Sequence, residues 1–145
     1  MEEIYSLTEV YASLPVDDAT LLKSLIEEYG EEGAIDKWID AIPPEQLPMT
    51  HFSGGIGDSE EPFSKRLKDE INMVICGHPK YKEEREKILH EYNGYTLTAA
   101  TSLGAIIGSV FGIASGAVIP VALIMIRLAL KVTVGAYCKN YKYGE

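Results

Sequence analysis

The sequence predicts an all-α protein: a small bundle of amphipathic helices followed by a C-terminal glycine-rich apolar helical hairpin. Three observations predict this class. Apolar residues recur at three- and four-residue intervals through the first two thirds of the chain, as one buried helix face requires. No stretch alternates in the manner of a half-buried strand. An uncharged run over residues 92–126 contains GAIIGSVFGIASG, which places Gly104, Gly108, Gly112 and Gly116 at every fourth position.

Charge divides the chain at the same place. The formal net charge is −9, yet beyond residue 91 the only acid is Glu145, while Arg127, Lys131, Lys139 and Lys142 supply the bases. Residues 1–92 therefore read as an acidic soluble helical region with a loop at 43–62, and residues 93–145 as an apolar helical hairpin with a short basic tail. An acidic body argues against nucleic acid, because phosphate neutralisation needs clustered Lys and Arg. In the stretch 80–87 the bases are interrupted by Glu83, Glu84 and Glu86.

Taken in order, Ser6 suits the cap of a first helix carrying Leu7, Val10, Tyr11 and Leu14. Asp17 or Asp18 suits the cap of a second, with Leu21, Leu22, Leu25, Ile26 and Tyr29, and Gly30 stops it. A third follows Gly33 with Ile35, Trp38, Ile39 and Ile42 on one stripe, ended by Pro43-Pro44. The loop PPEQLPMTHFSGGIGDSEEP is rich in turn residues. Its SGGIGD core lacks the strand and the Lys-Ser/Thr pair of a phosphate-binding loop, so it reads as a connection. A fourth helix carries Phe63, Leu67, Ile71, Val74 and Ile75 to Cys76-Gly77, and Pro79 opens a highly charged fifth with a thin stripe of Tyr81, Ile88 and Tyr92.

The hairpin raises the sharpest question, because a glycine inside a helix costs about 0.5–1 kcal/mol relative to alanine. Residues 95–113 make a first helix of about 28 Å, and Gly112, Ser115 and Gly116 loosen the turn. Pro120 then suits the first turn of a second helix running to Cys138. Glycines four apart drift only about 40° per step around a helix. With Ala100 they form a helix-packing ridge of Ala100, Gly104, Gly108, Gly112 and Gly116, which lets another backbone approach closely. In lipid such a ridge drives association, and in a soluble bundle it closes a hairpin equally well.

Arg127 and Lys131 decide between the two settings. They sit one turn apart near the centre of the second helix, where a mid-membrane charge costs about 2.5–3.5 kcal/mol. In a membrane they would have to snorkel, belong to a shallow span, or line a polar interior built by an oligomer. In a soluble fold they would mark the solvent face, with Val121, Ile124, Leu128 and Val132 turned inward. A spanning hairpin would keep both ends on one side, and the bases flanking it (Lys80, Lys82, Arg85, Lys87, Lys139, Lys142) place those ends in the cytoplasm at the inner membrane. Tyr92, Tyr95, Tyr137, Tyr141 and Tyr143 would then form an interfacial belt.

Catalytic and metal chemistry finds little support. Zinc needs four ligands, and Cys76, His78, His51, His90 and Cys138 show no standard spacing. Cys76 reads as a small residue at a helix end, Trp38 as core, and the acids of EEYGEEG at 27–33 as a solvated face. The N-terminus has no basic leader, so the cysteines are expected to be reduced thiols of an intracellular protein rather than a disulfide pair. No catalytic residue, metal or cofactor is assigned.

Residues 64–138 resemble small uncharacterised bacterial proteins, some of them from conflict or antiviral loci. The resemblance lies in VICGHP at 74–79, the apolar run at 96–116, and LIMIRLALKVTVGAYC at 123–138. In those proteins a charged helix ends in a hydrophobic-Cys-Gly-x-Pro element. An Ala/Gly-rich apolar helix and a leucine-rich helix with a basic residue and a terminal Cys follow. The resemblance implies a component of a bacterial defence or toxin system and assigns no residue a role.

The expectation is thus a non-enzymatic, membrane-associating helical protein that forms homo-oligomers through its glycines and binds a further protein partner. The alternative is a soluble helical adaptor with the hairpin as its buried core. Gly108→Leu is expected to be more damaging than Leu103→Ala in either setting.

Overall fold

The structure, a computed structural model, describes residues 4–42 and 63–139, and all regular elements among them are helical. The chain runs α1 (Leu7–Ser13), α2 (Val16–Asp40), α3 (Phe63–Cys76), a 3₁₀ turn (Pro79–Tyr81), α4 (Lys82–Glu91), α5 (Leu97–Phe111), α6 (Ser115–Val132) and α7 (Val134–Cys138). The all-α class and the bundle-plus-hairpin order are those the sequence predicts. The loop at 43–62, with SGGIGD and His51, lies outside the described residues, as do Tyr141, Lys142 and Tyr143.

Local chemistry accounts for most boundaries. The Ser6 side chain accepts from the Glu9 amide at 3.1 Å and starts α1. Thr96 does the same for α5 through Ala99, also at 3.1 Å, which starts that helix two residues later than predicted and leaves Tyr95 in the turn before it. Two expectations for α2 are corrected. Pro15, not an aspartate, occupies its cap position, and Asp17 and Asp18 fall in the first turn, where their charge complements the helix dipole. Gly30 does break the helix, at φ 79° and ψ 170°, but the chain resumes helical geometry at once and Gly33 is helical.

The second hairpin helix also differs from expectation. It begins at Ser115, so Pro120 lies inside it rather than in its first turn. It stops at Thr133, whose φ of 79° is a left-handed conformation that β-branched residues rarely adopt. The last turn, α7, is therefore a separate piece that packs back on α3.

α6 is the centre of the core. From Val118 to Ile126 every residue but Ile119 is buried, and α5 packs along it most extensively, followed by α2, with smaller contacts from α7 and α3. Each large apolar side chain buried here contributes about 1.5–3 kcal/mol. Around α6 the other helices contribute thin stripes: Val10 from α1, Ile35, Trp38 and Ile39 from α2, and Leu67, Ile71, Val74 and Ile75 from α3. Leu21 and Tyr29, predicted on the apolar stripe of α2, are 42% and 43% exposed, so only Leu22 is fully buried before the kink.

Cys76 and Cys138 form a disulfide, with Cα atoms 5.7 Å apart, correcting the expectation of free thiols. A bond that closes a loop across a separation of 62 residues restricts the unfolded chain by about 4 kcal/mol on the chain-entropy account.

Three tyrosines tie elements together through their hydroxyls. Tyr5 donates to the Leu123 carbonyl at 2.6 Å, Tyr137 to Asn72 Oδ1 at 2.6 Å, and Tyr81 to Glu70. Burial is the main reason that each is held above the ordinary tyrosine value of 10.0, with the Glu70 hydrogen bond adding to it at Tyr81. Because the fold favours the neutral phenol, this contribution is intact below that value and is lost progressively as pH rises above it toward the raised one. Denaturant midpoints are expected to hold between about pH 7 and 9 and to fall progressively above about pH 10. Tyr5→Phe should flatten part of that fall, and an unchanged midpoint up to about pH 11.5 would contradict the assignment.

Candidate functional site

The residues singled out in the sequence lie along α5 and α6, and the structure gives them different roles. Gly104 faces α6 directly: a Cβ built there would stand 3.1 Å from both the Ile119 Cα and the Ala122 Cβ. Gly108 faces the start of α6, where a Cβ would stand 3.1 Å from the Ser115 Cα and 3.3 Å from the Ile113 carbonyl oxygen. Ala100 is fully buried. These positions let two backbones meet closer than larger side chains allow.

Gly112 and Gly116 do something else. Gly112 ends α5 in the left-handed region at φ 73°, and the Ile113 amide returns to the Gly108 carbonyl at 3.0 Å, a Schellman-type closure. Gly116 sits in the first turn of α6, and a Cβ there would meet nothing within 4 Å. The ridge seen in the sequence is therefore two close contacts, one helix terminator and one open position. Its inward part is occupied by the chain's own α6.

Arg127 and Lys131 converge on one carboxylate. The Arg127 Nε donates to Glu31 Oε1 at 3.1 Å and its Nη1 to the Tyr5 carbonyl at 2.8 Å, while the Lys131 Nζ stands 3.5 Å from Glu31 Oε2. Arg127 and Glu31 keep only 16% and 14% of their side-chain surface exposed, against 46% for Lys131. The arginine pair is thus the stronger one, since an exposed ion pair contributes about 0–1 kcal/mol and shielding from water strengthens the other. Glu31 is the first residue after the Gly30 break, so a glycine-dependent kink sets the carboxylate that neutralises α6.

Two further polar contacts pin α6 from the N-terminal side. The Trp38 Nε1 donates to the Ala117 carbonyl at 2.9 Å, and Tyr5 reaches Leu123 as described. Of the residues predicted to face inward, Val121 and Ile124 are buried and Leu128 is half-buried, but Val132 is 53% exposed. Tyr95 is buried with its hydroxyl donating to the Ile75 carbonyl at 3.0 Å and accepting from Arg85 Nε at 3.0 Å. It and Tyr137 are turned into the protein, unlike the residues of an interfacial belt.

Cys76 is committed to the disulfide, and His78 Nδ1 accepts from the Lys80 amide at 3.0 Å as the cap of the 3₁₀ turn. Among the described residues no three His, Cys, Asp or Glu side chains are grouped to hold a metal ion. Glu31, Tyr5 and Asn72 were missed in the sequence, and Tyr137 was read for a belt rather than for its bond to Asn72. The only hint of Glu31 was two cations one turn apart on an otherwise apolar helix, which require a counter-charge without naming it.

The glycine series separates these roles. Gly116→Ala is expected to be neutral or to stabilise by up to about 1 kcal/mol, and Gly112→Ala to cost about 1–3 kcal/mol through its positive φ. Gly108→Leu, driving a branched side chain into backbone, should exceed the usual overpacking cost of about 1–3 kcal/mol. Leu103 is 2% exposed, so Leu103→Ala should itself cost about 2–5 kcal/mol, and the contrast with Gly108→Leu is narrower than the sequence implied. Chemical denaturation of the four variants checks the order, and equal effects at Gly108 and Gly116 would refute the packing assignment.

Comparison with family models, curated proteins and solved structures returned no match for this chain.

Proposed function

We propose that the chain is an interaction protein whose apolar hairpin serves as its own core and whose surrounding amphipathic helices present the partner-binding surface. The observation that carries this reading is the set of contacts made by α6. It fills the glycine-lined face of α5, and its one mostly buried cation is paired with Glu31 from α2. Its carbonyls at Ala117 and Leu123 accept side-chain donors from α2 and from the segment before α1. A hairpin that met lipid would have to surrender its contacts with α2 and with the segment before α1 and leave Glu31 and Arg127 to find other partners.

A second reading keeps one specific observation. α6 has the length and composition of a membrane span, with 18 residues and a mean hydropathy of 1.9, although 61% of it is buried inside the protein. On that reading the hairpin parts from the amphipathic helices, inserts, and offers Gly104 and Gly108 to a second copy. α5, at 15 residues, is about 22 Å long and shorter than a ~30 Å hydrocarbon layer.

Detergent dependence combined with size measurement tests the proposal. The full chain is expected to be recovered without detergent as a monodisperse monomer or dimer, by fractionation and light scattering. Recovery only from membranes, or only in micelles, would overturn it in favour of insertion.

A further inference from the structure

α7 is a helix with few means of holding itself in place. It has five residues and buries none of them. Helices this short do not persist in water on their own. Internally it has the Thr133 cap, whose side chain accepts from the Ala136 amide at 3.2 Å. Two tethers bind it to α3: the Cys76–Cys138 disulfide, and the Tyr137 hydrogen bond to Asn72. Asn72 and Cys76 lie one turn apart on α3, and Tyr137 and Cys138 are adjacent on α7, so both tethers act at one place. Val134, Tyr137 and Cys138 are half-buried against the core, and a single hydrogen bond shifts an equilibrium by no more than about tenfold, so the covalent tether is the strongest hold on this short piece.

The joint that α7 turns on is also unusual. Thr133 separates it from α6 in a left-handed conformation at φ 79°, which is strained for a β-branched residue and relaxes if α7 is released. α7 and this joint contribute to the lining of two grooves. One, of about 450 Å³, is lined by Asn72, Met125, Leu128 and Tyr137. The other, of about 470 Å³, is lined by Tyr95, Leu130, Thr133 and Val134. With α7 seated, Met125 and Leu130 are 3% and 7% exposed. Tyr137 lines the first groove beside Met125 and Val134 the second beside Leu130, so lifting α7 away removes side chains that flank the apolar end of α6.

We propose that Cys76–Cys138 is a thiol–disulfide switch that sets whether α7 is seated on α3 and whether the C-terminal end of α6 is covered. Both cysteines are half-buried rather than sealed in the core, so a dithiol reductant has access. One thiolate of the dithiol attacks a protein sulfur, breaking the Cys76–Cys138 bond and forming a mixed disulfide. Its second thiol resolves that intermediate. Two electrons and two protons pass to the protein as two thiols, and the dithiol leaves as a disulfide. Oxidation by a small disulfide runs the same exchange in reverse and reseats α7.

The test is hydrogen exchange on the full chain, oxidised and after reduction with dithiothreitol, alongside binding of an apolar fluorescent dye. On reduction, the amides of Tyr137 and Lys139, which bond to the Thr133 and Ala136 carbonyls in the seated form, are expected to exchange at the rate of unstructured peptide. The α5 amides should stay protected by at least about 100-fold, and dye fluorescence should rise severalfold. Cys138→Ser without reductant should reproduce the reduced behaviour. Three results would overturn the proposal: α7 protection that survives reduction, loss of protection throughout the chain (a structural staple, not a switch), or free thiols under oxidising conditions.

Discussion

The approach of α5 to α6 at Gly104 and Gly108 is the contact on which the rest of the fold depends. A Cβ at either position would stand about as near the facing backbone as real contacts permit, 3.1 Å from the Ile119 Cα or the Ser115 Cα. Giving up those side chains weakens the isolated helix. In return it lets α6 be enclosed: α5 fits flat against one side, and stripes from α1, α2 and α3 cover the others. The amphipathic helices are individually poor in buried residues, and α4 buries none at all. Of these helices α3 carries a full apolar stripe; the others form a structure because α6 offers them a continuous apolar surface.

Enclosing an apolar helix creates a second problem, which is where to put its cations. The hairpin itself has no carboxylate to offer. Glu31 comes instead from the acidic N-terminal region, at the residue after the Gly30 kink, and its two oxygens face Arg127 and Lys131. The division of charge along the chain thus has a structural counterpart, since the acidic part supplies the counter-ion for the basic positions of the apolar part. A mostly buried ion pair adds little net stability against an apolar substitute, but removing one partner is costly, and this pair ties α2 to α6.

Much of the fold was legible in the sequence because it rests on local signals: the Ser6 cap, the glycine stops at Gly30 and Gly77, and the apolar periodicity of α3. In α6 the predicted single stripe is replaced by burial nearly all round, which encloses Arg127 as well. The departures share a cause. The start of α6 at Ser115, the break at Thr133 and the seating of α7 depend on tertiary contacts that spacing does not encode. Thr133 carries no sequence signal for a left-handed residue. The Cys76–Cys138 pairing was set aside on grounds of compartment, whereas the packing of α7 on α3 brings the two residues together. The glycine repeat was read as one ridge, but regular spacing concealed unlike tasks, because a helix that ends at Gly112 takes the last two glycines off the shared face.

The central claim is that α6 is the permanently enclosed core of this protein, and native-state hydrogen exchange of its buried amides tests that most directly. In detergent-free buffer with the disulfide intact, the amides of Leu123, Ile124, Met125 and Ile126 should exchange only through global unfolding, with the free energy found by chemical denaturation. Exchange of these amides at a much lower free energy, close to that of the exposed helix α4, would show that α6 leaves its enclosure without unfolding of the whole and would contradict the account.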